Sequence, residues 1–165
     1  MFFLFIKMFL VITTVSAALM AGLFYAYSCS VNPGLGRLSD AGYMAAMQSI
    51  NRAILNPVFF ASFMGSVVLL PVSTWLQFRY GTEAGGWLFL AATVMYIIGV
   101  FGVTAVVNVP LNNALDKVSL QASPEELAGH RAAFEGRWNR YNTVRTVCAV
   151  LTVALAITGC LLAGW

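Results

Sequence analysis

The sequence predicts an all-α fold: a four-helix transmembrane bundle in which an amphipathic extension precedes the last helix and is continuous with it. Three observations carry this. Hydrophobic residues make up 60% of the chain and charged residues 9%, with a mean hydropathy of +0.82, so there is little polar surface to present to water. Four apolar runs, 8–31, 55–77, 86–107 and 143–165, each reach the ~20 residues a helix needs to cross a bilayer. The long connection before the last run opens on a helix-start signal, and a single membrane domain, 1–165, accounts for the chain.

The first run carries Ser16, Ala17 and Ala18, small residues of the kind a leader-peptide cleavage site uses. Apolar residues precede Lys7 in place of a basic leader, so the run is read as a retained helix, ended by Pro33 with Gly34 and Gly36. Asn56-Pro57 opens the second span, with an amide at the N-cap and a proline at the first helical position, where its missing N–H leaves no bond unmade. The glycine-containing turn 80–85 makes the second and third spans adjacent and antiparallel. Asn108-Val109-Pro110-Leu111-Asn112-Asn113 puts a proline at the edge of the third span. There it removes one backbone hydrogen bond and crowds the preceding turn, gathering freed carbonyls beside three amides. Ser123-Pro124-Glu125-Glu126 is a capping box; Leu127, Phe134, Trp138 and Tyr141 then recur at helical spacing, which predicts an amphipathic helix over 124–142 running into the last span.

Lys7 and Arg79 fall on one side of the membrane, against Arg37, Arg52, Lys117, Arg131, Arg137, Arg140 and Arg145 on the other, which places the long loops in the cytoplasm. A net charge of +3 with no basic tail gives no ground for nucleic-acid binding. Cys29, Cys148 and Cys160 are odd in number and lack CxxC spacing, so buried, inert thiols are expected. Cys29 and Cys148 lie near the same membrane face, but no sequence feature supports a bridge.

Chemistry concentrates on the long-loop side. In RWNRYNTVRT (137–146), Trp138, Asn142 and Arg145 share one helical face, and polar groups are expensive where an apolar span begins. The plainer account is a membrane-edge anchor. Against it stands accumulation at the same edge: Tyr25, Tyr27, Ser28 and Asn32 end the first span, and Gln48, Asn51, Arg52 and Asn56 precede the second. His130 is the only histidine, so neither bis-histidine haem ligation nor a His/Cys metal cluster is available. Glu126 and His130 are more simply a surface pair than metal ligands. No metal site and no cofactor is expected.

Taken together, GLFYAYSCSVNPGL, AAMQSIN followed by NP, NVPLNN and RWNRYNTVRT resemble the DUF1772 family of small four-helix membrane proteins, which includes anthrone oxygenases of polyketide pathways. The likeness covers essentially the whole chain, in order. It implies a membrane-embedded bundle and oxidation of an anthrone to an anthraquinone without an obvious cofactor, so that the partners are a hydrophobic small molecule, oxygen and the bilayer. The motif residues are Pro33, Asn51, Asn108, Pro110, Asn112, Trp138, Asn142 and Arg145. Asn32 departs from the family, where an apolar residue such as methionine is commoner.

An anthrone is a flat ketone whose methylene proton is acidic for a carbon acid, and its enolate can give an electron directly to oxygen. The protein has to bind it, deprotonate it and stabilise an oxyanion. Arg145 or Arg52 is expected to hold the oxyanion, with Asn108 and Asn112 as further donors. Tyr25, Tyr27 and Trp138 supply ring surface, and Asn51, Tyr141 and Asn142 complete the binding set. The base is left open between His130, with Glu126 or Glu135 beside it, a substrate phenol, and a tyrosinate held by arginine. A different class is a non-catalytic carrier of a hydrophobic molecule or a small subunit of a membrane complex. Small residues at helix-contact spacing (Ala18, Gly22 and Ala26; Ala61 and Gly65) fit close packing within one chain or in a homo-oligomer.

Overall fold

A computed structural model describes residues 1–164; the last residue of the predicted final span, Trp165, lies outside the described residues. Four helices are long and apolar enough to cross a membrane: α1 (Phe2–Leu35), α3 (Pro57–Tyr80), α4 (Glu83–Asp116) and α5 (Pro124–Leu161). The chain is a multi-pass integral membrane protein. Between α1 and α3 lies α2 (Asp40–Ala53), a helix beyond those that the apolar runs and start signals predict. Its signals are a serine N-cap, with Ser39 accepting from the Gly42 amide, and a buried stripe of Tyr43, Met44, Met47 and Gln48.

The start signals act where the sequence put them. Asn56 accepts from the Phe59 amide at 3.0 Å, and Ser123 and Glu126 exchange both hydrogen bonds of the capping box; the third span starts three residues earlier than the apolar run, at Glu83, because Thr82 caps it by accepting from Gly85 at 3.0 Å. With 38 residues, α5 is about 57 Å long, well beyond the ~30 Å of hydrocarbon a bilayer offers, so its first half stands outside. The ends of α1 and α4 were expected at their prolines. Instead each helix passes through its proline, because the turn before it widens. Residues Tyr27–Val31 and Thr104–Asn108 are π-helical, with the Asn32 amide bonded to the Tyr27 carbonyl and the Val109 amide to the Thr104 carbonyl. The looser turn gives the proline ring room against the carbonyl four residues back.

The outward faces of the four long helices carry Val15, Leu19, Val68, Trp75, Ile98, Val106 and Val147, side chains at home against lipid. Inside, hydroxyls pair across helices: Thr13 with Ser73, Ser16 with Ser66 and Thr74 with Thr93, each at 2.9 Å, while the Tyr96 hydroxyl donates to the Phe63 carbonyl at 3.0 Å. Such pairing, together with close approach at small residues, holds membrane helices together. Gly99 is one such point, where an added Cβ would lie 2.6 Å from the Cβ of Cys148. Gly99→Val is therefore expected to lower stability by about 1–3 kcal/mol, read as a lower melting temperature in detergent. Gly22→Ala, whose added Cβ meets nothing within 4 Å, is the matched control; equal melting temperatures would show that the α4–α5 contact yields easily. All three cysteines are free, and Cys29, expected to be buried, is exposed.

A second core sits on the long-loop side, where Leu35, Tyr43, Met44, Met47, Leu115, Leu127, Phe134 and Trp138 pack together. Two polar clamps fix it. Gln48 Nε2 donates to the carbonyls of Leu115 and Val118, each at 2.9 Å, closing the end of α4. Arg131 donates to the carbonyls of Gly36 and Leu38 and pairs with Asp40 and Glu135, binding α5 to the end of α1. Its guanidinium lies 4.5 Å from the Tyr43 ring centroid. Burial, reinforced by Glu135 and opposed by Arg131, raises the Tyr43 phenol above its ordinary value, so that group stays protonated.

Candidate functional site

A cavity of about 160 Å³ opens between the two cores. That is more than ten times the ~10–15 Å³ a single water needs. Leu23, Phe24 and Phe59 form its membrane-side wall, Tyr27 and Trp138 its aromatic wall, and Ile54 and Leu55 its edge. The polar lining comes from α2 (Asn51, Arg52), α4 (Thr104, Asn108, Asn112, Asn113, Asp116) and α5 (Arg145).

Arg145 occupies the inner wall at 6% exposure. Nη2 donates to Asn142 Oδ1 at 2.9 Å and Nη1 to Thr104 Oγ1 at 3.3 Å, while Nε has no partner within the protein. The guanidinium carbon stands 4.5 Å from the Phe24 centroid and 5.3 Å from that of Trp138. Among the described residues no carboxylate pairs with it. A guanidinium does not shed its charge by deprotonating, so the inner wall carries a cation balanced only by neutral dipoles and ring faces.

The asparagines divide into holders and free amides. Asn142 is a holder: its Nδ2 donates to Ser28 Oγ at 2.9 Å and to the Phe24 carbonyl at 3.2 Å, beside the Thr146 hydroxyl, which donates to the same carbonyl at 3.0 Å. These bonds fix α5 against the end of α1 and orient Arg145. Asn112 accepts the Trp138 indole N–H at 2.8 Å, setting the angle of that ring, which stands 5.4 Å from the ring of Tyr27. In contrast, both side-chain polar atoms of Asn108 and the Nδ2 of Asn51 are buried without a partner. Buried polar atoms of this kind normally have partners; Asn108, Asn51 and Arg145, whose Nε is also unpartnered, all belong to the lining of this one cavity.

At the rim, Arg52 Nε donates to Asp116 Oδ1 at 2.7 Å, with side chains 63% and 46% exposed. Asp116 was absent from the sequence-derived set. Its signal is spacing, since Asn108, Asn112 and Asp116 recur every fourth residue and form one column on α4 from the inner wall to the rim.

Several expected residues lie elsewhere. Tyr25 is 58% exposed and faces away; its neighbour two residues on, Tyr27, takes the wall. Tyr141 and Asn142 are not cavity-lining side chains. His130 borders a separate, smaller hollow of about 110 Å³ formed with Leu111, Leu115, Val118 and Phe134, because the helical turns between it and Trp138 carry it past the cavity. For the anthrone oxidation that the resemblance implies, His130→Gln is accordingly expected to leave oxygen uptake unchanged. A substantial loss would return histidine to the reaction. Among the described residues, no three His, Cys, Asp or Glu side chains are grouped to hold a metal ion.

The family model described as anthrone oxygenase matches residues 57–155. The match takes in α3, α4 and the greater part of α5, hence Asn108, Asn112, Asp116, Trp138 and Arg145, and leaves out the α1 and α2 wall. No curated protein and no solved structure matches the chain. With more than half of its length covered, the chain belongs to the anthrone oxygenase family.

Proposed function

We propose that this protein is a membrane-embedded oxygenase that converts a flat, enolisable aromatic ketone of the anthrone type into the corresponding quinone. The supporting observation is Arg145: a buried cation without a carboxylate partner, on the wall of an aromatic cavity that also presents the unpartnered amides of Asn108 and Asn51. A neutral ligand would leave that charge uncompensated, whereas an enolate or phenolate oxygen meets it. In a low-dielectric cavity, donors already aimed at a developing negative charge are worth far more than in water.

The methylene carbon loses two hydrogens and gains one oxygen atom; the second atom of dioxygen leaves as water. Once the enolate exists, its electron goes to oxygen directly. The residues have to bind the rings between Tyr27, Trp138 and Phe59, hold the oxyanion at Arg145, and keep the intermediate from bulk water. The substrate's own hydrophobicity suits entry at the lipid–water edge, where Leu55 is exposed. The face bearing α2 is taken as cytoplasmic because it carries Arg37, Lys117, Arg137 and Arg140.

The test is oxygen consumption by the detergent-purified protein with an emodin-like anthrone, without added flavin, haem or metal. Uptake well above the spontaneous rate, with quinone formed one for one, supports the reading. Tight binding of the anthrone with no acceleration would make the protein a carrier instead.

A further inference from the structure

We infer that Asp116 is the proton acceptor of this site, a role that rests on the proposed enolate chemistry. It is the one carboxylate among the cavity-lining residues. Its Oδ1 takes the Arg52 hydrogen bond; among the described residues no side chain or backbone group donates to Oδ2, and the side chain is 46% exposed. Arg52 thus fixes the carboxylate in place, one oxygen stays available to a substrate, and water at the rim can carry the proton away.

The position suits the substrate's geometry. In an anthrone the carbonyl and the methylene lie across the central ring from each other, so the oxyanion donors and the base must face each other across the cavity. Arg145 and Asn108 are on the inner wall, 6% and 1% exposed. Asp116 is two helical turns beyond Asn108 on the same face of α4, about 12 Å along the axis. A tricycle lying against Trp138 with its carbonyl oxygen at Arg145 turns its methylene toward the rim.

The step balances without an oxidant. One methylene C–H bond breaks, its proton forms an O–H bond on Asp116, and the electron pair moves into the ring system to place the charge on the oxygen at Arg145. A carboxylate is a weak base for a carbon acid, which is why the step requires that oxygen to be stabilised at the same moment.

Proton abstraction can be read apart from oxidation. Under anaerobic conditions in deuterated water, wild-type protein in detergent should exchange the methylene hydrogens of an emodin-like anthrone faster than buffer does. Asp116→Asn, an isosteric change at a half-exposed position, should lose about 100-fold or more of that acceleration. Asp116→Glu, which keeps the carboxylate, should recover most of it. Exchange by Asp116→Asn at the wild-type rate overturns the assignment while leaving the oxygenase reading in place; so does a wild type that consumes oxygen but shows no anaerobic exchange. If the wild type neither exchanges nor consumes oxygen, both readings fall together.

Discussion

Arg145→Ala is expected to lose about 100-fold or more of the rate of anthrone oxidation, the usual effect of removing one preorganised oxyanion donor. Arg79→Ala, at the opposite membrane edge and beside the Tyr80 ring, should keep the wild-type rate. Because Arg145 also touches Asn142, Thr104, Phe24 and Trp138, a loss of rate alone would not separate chemistry from architecture. Arg145→Met separates them. It keeps the length of the side chain and removes an unpaired buried charge, so the melting temperature should hold or rise while the rate falls as far as in the alanine variant. Arg145→Lys keeps the charge but not the planar fork and should lie between. If Arg145→Met oxidises anthrone at the wild-type rate, the cation is an anchor and the oxygenase mechanism has lost its centre.

Asn108→Leu should produce opposite changes in two measurements. Both polar atoms of Asn108 are buried and unpartnered, and each such group costs about 1–3 kcal/mol. A leucine of similar size removes that penalty, so the variant should melt higher than the wild type. Its oxidation rate should fall by about 100-fold if the amide is a second oxyanion donor. A residue kept for packing would behave the other way, losing stability with little direct effect on rate, and that outcome would remove Asn108 from the site.

Legibility in the sequence follows the range of the physics involved. Asn56-Pro57 and the Ser123 capping box act within four residues, so they could be read directly, as could the length of each apolar run. The end of α1 could not be read so locally: Pro33 stops a helix unless the turn before it loosens, and here the loosened turn sits where α5 brings Asn142 and Thr146 to the Phe24 carbonyl. Helix α2 is short and half polar, with a buried face that exists only because Leu115, Leu127 and Phe134 come to meet it. Within the site, Trp138, Asn142 and Arg145 followed from helical spacing on one segment. Tyr25 and Tyr27 are two residues and so about 200° apart on α1, and only the face shared by Leu23, Phe24 and Tyr27 meets the cavity. Asp116 was overlooked because a charged residue just past a span looks like an ordinary helix end; only the column it completes with Asn108 and Asn112 reveals it.

The widened turn at Thr104–Asn108 makes the site a matter of phase as well as of residue identity. A π turn holds one residue more than an α turn, so everything after it on α4 is advanced by that residue. Val106 in this stretch is 75% exposed and faces away from the bundle. Wound at the ordinary pitch with no change of sequence, the rest of α4 would sit about 100° from where it is; deleting Val106 removes the extra residue together with the extra pitch, so the two effects cancel, no buried side chain is lost and every letter of NVPLNN stays in place. When the residue and the wide turn go together, Asn112 and Asp116 keep the cavity and the Trp138 indole keeps its acceptor; a residue lost from a stretch of ordinary pitch has no wide turn to absorb it, and both side chains would turn away. The wide turn ahead of the proline is thus a place where this helix can take up or give up a lipid-facing residue without disturbing the amides after it.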